Sequence, residues 1–195
     1  MKKRCEWCKG SALYEEYHDI EWGVPVYDDQ IHFEFLVLES AQAGLSWITI
    51  LKKRENYRGA YQNFDPKIVS KFDQEKINML LQDPGIVRNR KKIEASVNNA
   101  KCFLSVQKEY GSFSKYIWSF IDHEQIKNNW ESETEIPAKT PLSIRLAKDM
   151  KKRGFQFLGP TILYSHMQAT GLINDHIMEC YRFQEINDLS AKSKG

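Results

Sequence analysis

Apolar residues in this chain recur at helical spacing, and almost nowhere at the alternating spacing of a strand. Residues 29–43 place Ile31, Phe35, Leu38 and Ala41 or Gln42 on one face, with Asp28 or Asp29 as N-cap, and Gly44 breaks the run. Residues 46–64 predict a second amphipathic helix. Asp65-Pro66 opens another, because proline suits the first helical turn. A short helix over 73–81 ends before Asp83-Pro84-Gly85. Residues 89–108 follow, with Ile93, Val97, Ala100 and Leu104 in register. Further helices are predicted over 141–153, stopped by Gly154, and over 161–169. A last one starts at 175–181, capped by Asn174 or Asp175. The best strand candidate, Phe155 to Leu158, reads equally as a loop. The fold class is mainly α.

Composition sets the scale. A chain of 195 residues allows one domain or two small lobes. With 42% hydrophobic and 28% charged residues, general disorder is excluded. Lys and Arg number 28 against 26 Asp and Glu, so the balance of +2 leaves the position of each charge to decide what binds. No apolar run approaches the roughly 18 residues of a membrane span, and no apolar core follows the basic start. The sequence is therefore read as cytoplasmic, with no membrane partner. In a reducing compartment four cysteines point to metal, catalysis or burial rather than disulfides. No repeat or linker divides the chain. Residues 1–188 are read as one compact unit and 189–195 as a flexible tail.

Three constellations carry chemistry. Cys5 and His18 lie near one end, His176 and Cys180 near the other. The i, i+4 spacing of the second pair puts both on one helical face, two corners of a zinc tetrahedron. The other two corners come from the first segment, where Cys5-Glu6-Trp7-Cys8 leaves Cys8 as an alternative to His18. Four protein ligands make such a site structural. The second constellation gathers Trp7, Tyr14, Tyr17, Trp22 and Trp47 around Glu39, a carboxylate in an otherwise apolar run. Glu39 either points outward to water or accepts hydrogen bonds from a flat ligand held between π-faces. Aromatic faces and a carboxylate together favour a flat cation. The third is the turn from Gln82 to Lys92, with Gly85 suited to a left-handed backbone and Arg88, Arg90 and Lys91 at a helix start. Free N–H groups and basic side chains there suit phosphate. The runs Lys52-Lys53-Arg54 and Lys151-Lys152-Arg153 add local positive charge.

Six segments carry a family resemblance: Tyr17-His18-Asp19-Ile20-Glu21-Trp22-Gly23-Val24-Pro25, Gln42-Ala43-Gly44-Leu45-Ser46-Trp47, Leu51-Lys52-Lys53-Arg54-Glu55, Lys152-Arg153-Gly154-Phe155, Tyr164-Ser165-His166-Met167-Gln168-Ala169 and Gly171-Leu172-Ile173-Asn174-Asp175-His176. They resemble the DNA-3-methyladenine glycosylase I family, within the helix-hairpin-helix DNA repair glycosylases, over nearly the whole chain. The resemblance implies a helix-hairpin-helix glycosylase fold of two closely packed lobes, its termini tied by one structural Zn²⁺. It implies Cys5, His18, His176 and Cys180 as ligands, favouring His18 over Cys8. It implies a base pocket with catalytic Glu39, with Tyr17 and Trp47 against the base and Tyr14, Trp7 and Trp22 beside them. The expected partner is double-stranded DNA containing alkylated bases, bound by a monomer through Gly85, Arg88, Arg90 and Lys91, with Leu45 as the expected wedge. The hairpin lacks the second glycine common in that motif, and residues 95–102 lack the aspartate many relatives use. No lysine is placed as a Schiff-base nucleophile, so a monofunctional hydrolase is expected.

Two other readings share these features. A non-catalytic zinc-stabilised nucleic-acid-binding protein needs the zinc and the basic turn but no pocket. A zinc hydrolase needs an open metal position.

Overall fold

The computed structural model describes residues 2–42 and 44–192, without the side chains of 190–192. Its helices, in chain order, are α1 (Ala12–Ile20), α2 (Asp29–Gln42), α3 (Trp47–Ala60), α4 (Pro66–Val69), α5 (Gln74–Gln82), α6 (Arg90–Tyr110), α7 (Phe113–Trp118), α8 (Pro141–Lys152), α9 (Pro160–Ala169) and α10 (Tyr181–Lys192). Two short strands, β1 (Ile126–Lys127) and β2 (Ile173–Asn174), pair in parallel, Ile126 opposite Ile173. No helix among the described residues is long and apolar enough to cross a membrane.

The core is built around α2. The sequence predicts a one-faced helix there, but every residue from His32 to Ala41 is buried, while Ile31 is exposed. A helix apolar on nearly all sides belongs in the middle of a bundle, and α2 packs against α3, α6, α7 and α9. Two carboxylates go inside with it, Glu34 and Glu39. Glu34 is matched by Arg54 and Arg58 of α3, and Arg54 also pairs with Glu21. That pairing offsets the desolvation of a buried charge.

Of the two candidate caps, Asp28 bonds the amides of Gln30 and Ile31. Asp29 instead accepts from the amides of Phe113 and Ser114 and so caps α7. Asp65, Asp73 and Asn89 cap α4, α5 and α6 as their sequence positions suggest. The second predicted helix ends earlier than expected, at Ala60. Gln62, Asn63 and Phe64 turn through positive φ before Asp65 restarts the chain.

Residues 155–158 form a loop. The Asn99 side chain accepts from the Gln156 amide at 2.8 Å and donates to its carbonyl at 2.9 Å, occupying the groups a strand partner would use. Gly171 is fixed by contact: a Cβ there would lie 2.3 Å from the Val24 carbonyl carbon. This close approach presses the β2 turn against the segment after α1. Asp175 then gathers four donors, Asn128 and Trp130 after β1 and Tyr164 and Gln168 of α9. The predicted helix at 175–181 is absent; residues 175–180 run as an extended segment and turn, and α10 starts at Tyr181. It continues to Lys192, into the stretch read as a tail, and 193–195 lie outside the described residues.

Candidate active site and metal cluster

The two ends of the chain meet in a buried cluster. Cys5 precedes a single 3-10 turn, His18 lies in the last turn of α1, and His176 and Cys180 flank the turn between β2 and α10. All four are buried, with ligand atoms within 4.8 Å of one another. The Cys180 sulfur lies 3.4 Å from His18 Nε2 and 3.5 Å from His176 Nδ1, and the Cys5 sulfur 3.7 Å from His176 Nδ1. A tetrahedral ion bound at about 2.3 Å to sulfur and about 2.0 Å to nitrogen spaces its donors roughly 3.3–3.8 Å apart. The cluster has that size.

The remaining ring nitrogens are already assigned. His18 Nδ1 donates to Asp19 at 2.8 Å, and His176 Nε2 donates to the Trp22 carbonyl at 3.0 Å. Each ring therefore turns one nitrogen, as a lone pair, into the cluster, the arrangement of metal-ligating histidines. Arg4 clamps Asp19 through three hydrogen bonds. Cys8 is buried too, but its thiol donates to the Cys5 carbonyl at 3.1 Å and stands outside the four. The geometry thus selects His18 over Cys8. It also corrects the reason for pairing His176 with Cys180: they share a turn, not a helical face. An ion bound by all four would have no open position for a metal-activated water.

Next to this cluster lies a cavity of about 350 Å³. Its walls include Trp7, Tyr14, Tyr17, Trp22, Glu39 and Trp47, so the predicted aromatic set and carboxylate do converge. Trp22 joins the two features. Its ring packs edge-on against His176 at 4.5 Å and against Trp7 at 5.0 Å, and its carbonyl holds His176. The Tyr17 and Trp47 rings tilt against each other at 5.7 Å. The Tyr14 hydroxyl accepts from the Ile48 amide at 3.0 Å, serving the open start of α3.

Glu39 is only 3% exposed, which rejects the outward-facing alternative. One carboxyl oxygen, Oε2, lies 3.0 Å from His166 Nδ1, while Oε1 has no partner within the protein. The Trp47 indole N–H is likewise buried and unpaired. Unmatched buried polar atoms are costly, and here an acceptor and a donor line one cavity. Burial pushes the Glu39 carboxyl well above its ordinary range, and burial holds His166 down to about 3. Among the described residues the walls contain two carboxyl groups, Glu39 and Glu133, and no Lys or Arg. Glu133 was not read from the sequence, nor were Gln42, Ile136, Ser165 and Gln168. Ser165 and Gln168 lie in the segment 164–169, whose sequence signals only the family resemblance.

The basic turn looks different from its prediction. Residues 83–89 do join α5 to α6, and Arg88, Arg90 and Lys91 are exposed. Gly85, however, has no positive φ; it is needed because a Cβ would lie 2.9 Å from Asn56 Cβ. Several amides of the turn itself are occupied within the protein. Gly85 N–H donates to Asp83 at 2.7 Å, Val87 N–H to the Tyr57 hydroxyl at 3.0 Å and Asn89 N–H to the Val87 carbonyl at 2.9 Å. The other basic runs are partly spent inside the fold, Arg54 on Glu34 and Glu21, Arg153 on Asp149 and Glu109. Leu45, 43% exposed, stands in the turn between α2 and α3, two residues before Trp47.

Residues 7–183 match the family model for methyladenine glycosylase. A DNA-3-methyladenine glycosylase of Haemophilus influenzae is 47% identical over 180 residues, 92% of this chain and 97% of that protein. A crystal structure of 3-methyladenine DNA glycosylase I is 49% identical, covers 92% of this chain and 98% of its own, and superposes with a TM-score of 0.89. A variant of such an enzyme in complex with 3-methyladenine is 39% identical, covers 91% and 96%, and also reaches 0.89.

Proposed function

The chain belongs to the methyladenine glycosylase family, and on that premise we propose that its cavity binds the base it excises, 3-methyladenine, beside Glu39. The enzyme hydrolyses the N-glycosidic bond of 3-methyladenine in alkylated DNA, and it is a DNA repair glycosylase. The observation that carries the pocket assignment is the unpartnered Glu39 Oε1 in a cavity with aromatic walls and, among the described residues, no basic group.

Methylation at N3 leaves the nucleotide's base cationic, hence already a good leaving group. The protein needs neither a strong acid nor a covalent nucleophile. It must draw the nucleotide from the duplex, at a cost of a few kcal/mol that a damaged base lowers. In the cavity Trp47 and Tyr17 offer π-faces to the cation, and Glu39 Oε1 offers an acceptor to the base. As the bond breaks, its electron pair passes to the base and positive charge develops on the sugar. Carboxylate and DNA phosphates favour that charge, and water completes hydrolysis to an abasic site. The absence of lysine from the described cavity walls supports a monofunctional reaction without strand cleavage.

The residues of the Cys5–His18–His176–Cys180 cluster fit one structural Zn²⁺. When bound, it ties both chain ends to the body, and Cys5 and Cys180 serve as thiolates. The same reading treats α5, the turn and α6 as the helix-hairpin-helix element. Duplex DNA then meets the Arg88, Arg90 and Lys91 side chains, with Gly85 letting the turn pack closely and Leu45 entering the base stack. Two hydrophobic clusters, one centred on α2 and α6 and a smaller one around Cys5, Tyr17 and Trp22, support two closely packed lobes. Chromatography of bases released from methylated DNA tests the whole. Free 3-methyladenine is expected; binding without release would instead favour a non-catalytic DNA-binding protein.

A further inference from the structure

Behind Glu39 two buried histidines lead away from the cavity. Glu39 Oε2 meets His166 Nδ1 at 3.0 Å, His166 Nε2 meets His32 Nδ1 at 3.2 Å, and His32 Nε2 meets the Val26 carbonyl at 3.1 Å. Both rings are fully buried.

The last contact fixes the protons of all the others. A carbonyl only accepts, so His32 Nε2 carries a hydrogen, and a neutral His32 then presents a lone pair at Nδ1. His166 Nε2 must therefore donate to it. A neutral His166 is left with a lone pair at Nδ1, facing Glu39 Oε2. Only one proton fills that gap. It sits on Glu39 as a carboxylic acid, or on His166 as an imidazolium beside a carboxylate. An ionised Glu39 with a neutral His166 would set two ring lone pairs against each other at 3.2 Å.

Few other charges face this line. Tyr17 of α1 places its phenol near Glu39, and Glu133 stands across the cavity. Asp28 and Asp29 lie near His32 and are engaged by backbone amides, Asp29 also by Gln107. Lys92 of α6 reaches the Ala41 carbonyl, and Arg54 and Arg58 of α3 are taken by Glu34 and Glu21. Packed α7 contributes Phe113, without charge.

We propose that His166, braced by His32 and the Val26 carbonyl, is a positioning residue that takes the shared proton from Glu39 when a cationic base enters. The proposal rests on the placement of the base beside Glu39. The Glu39 O–H bond breaks, the His166 Nδ1–H bond forms, carboxyl becomes carboxylate and imidazole becomes imidazolium. Positive charge thus moves away from the arriving cation along one hydrogen bond, without exchange with solvent. When the glycosidic bond breaks the base becomes neutral, and the proton returns to Glu39. The resting pocket stays uncharged at this pair, and its carboxylate appears only for a charged base.

The test follows 3-methyladenine release from methylated DNA at saturating enzyme between about pH 5.5 and about pH 8.5. In the wild type the proton has an internal acceptor, so the rate should stay within about threefold. His166→Gln keeps a donor toward Glu39 but cannot accept the proton. Its rate should gain an acid limb, falling about tenfold per pH unit below the midpoint of Glu39 ionisation. Loss by one constant factor at every pH would mean a merely structural histidine and overturn the proposal. Glu39→Gln should be slow throughout, without a limb. A Glu39→Gln enzyme as fast as wild type would fail the pocket assignment itself, which separates the two. The wild-type protein provides a check that needs no variant. Ring ¹⁵N spectra should place a proton on Nε2 of both His32 and His166. A neutral His166 protonated at Nδ1 alone would refute the relay.

Discussion

Replacing Glu39 by Gln should make the protein progressively more stable, relative to wild type, as pH rises. Burial pushes the folded Glu39 carboxyl well above its ordinary value of 4.5. In the unfolded chain the group ionises near that ordinary value. Between the two, the folded chain holds one proton more at this site than the unfolded chain. Stability present below the unfolded value is therefore lost as pH rises, by about 1.4 kcal/mol per pH unit until folded Glu39 itself ionises. The amide of the variant cannot ionise. Its N–H can donate to His166 Nδ1 as the carboxylic acid does, and its oxygen can face the cavity in place of Oε1. The packing around His166 should therefore be retained. Urea unfolding of both proteins, at pH steps from about 5 to about 8, reads the difference, with equal m-values as the check that the two unfold alike. The gap should widen with pH. A constant gap, or one that narrows, would mean that Glu39 is already ionised in the folded protein at pH 5, and the proton assignment would fall with it.

Trp47→Ala should weaken binding of free 3-methyladenine roughly 5- to 150-fold by equilibrium dialysis, since base stacking is worth about 1–3 kcal/mol. Trp47→Phe, which keeps the π-face and loses the unpaired N–H, should retain most of the affinity if stacking dominates. Cys180→Ser should lower zinc content and thermal stability together, whereas Cys8→Ser should keep its metal; zinc retained at full stoichiometry after loss of both Cys5 and Cys180 would remove the ligand assignment. Arg88→Ala with Arg90→Ala should weaken binding to all duplexes alike and flatten the salt dependence by about one unit per lost phosphate contact. An unchanged slope would mark this as an ordinary solvated face.

The sequence made the long helices legible where one face is dry and the other wet. Asn89 to Lys108 is the clear case: α6 starts one residue later, after its cap Asn89, and runs two residues further, to Tyr110 before the left-handed Gly111. It failed where periodicity carries no signal. Short α7 is buried at Phe113, Ser114, Tyr116, Ile117 and Trp118, so no stripe marks it. In α1 the buried residues Tyr17 and His18 are adjacent rather than spaced by a turn. The spacing of His176 and Cys180 suggested a helix because four residues can be spanned by a turn as well; the buried Asp175, with its four donors, holds the segment extended. The backbone of the basic turn was illegible for a related reason. Composition shows which donors a loop owns, but only the fold shows that Asp83, Tyr57 and Val87 already use them.

The deepest limit concerns the two carboxylates of α2. Glu34 and Glu39 both interrupt the same apolar run, and nothing local distinguishes them. Each is buried, and burying an acid without a partner is costly for both. The partner separates their roles, and each partner comes from elsewhere in the chain. Glu34 meets the Arg54 and Arg58 guanidinium groups, which stay charged under all ordinary conditions. Those ion pairs tie it to α3. Glu39 meets His166, an imidazole able to give or take one proton, and keeps one oxygen for the cavity. Exchanging the partners would exchange the roles. An Arg at position 166 would hold Glu39 ionised whether or not a base were present, and the pocket would lose its means of answering charge. The chemistry of this site therefore lies in a residue 127 positions away from the carboxylate that touches the cavity, on a helix whose local sequence signals only burial.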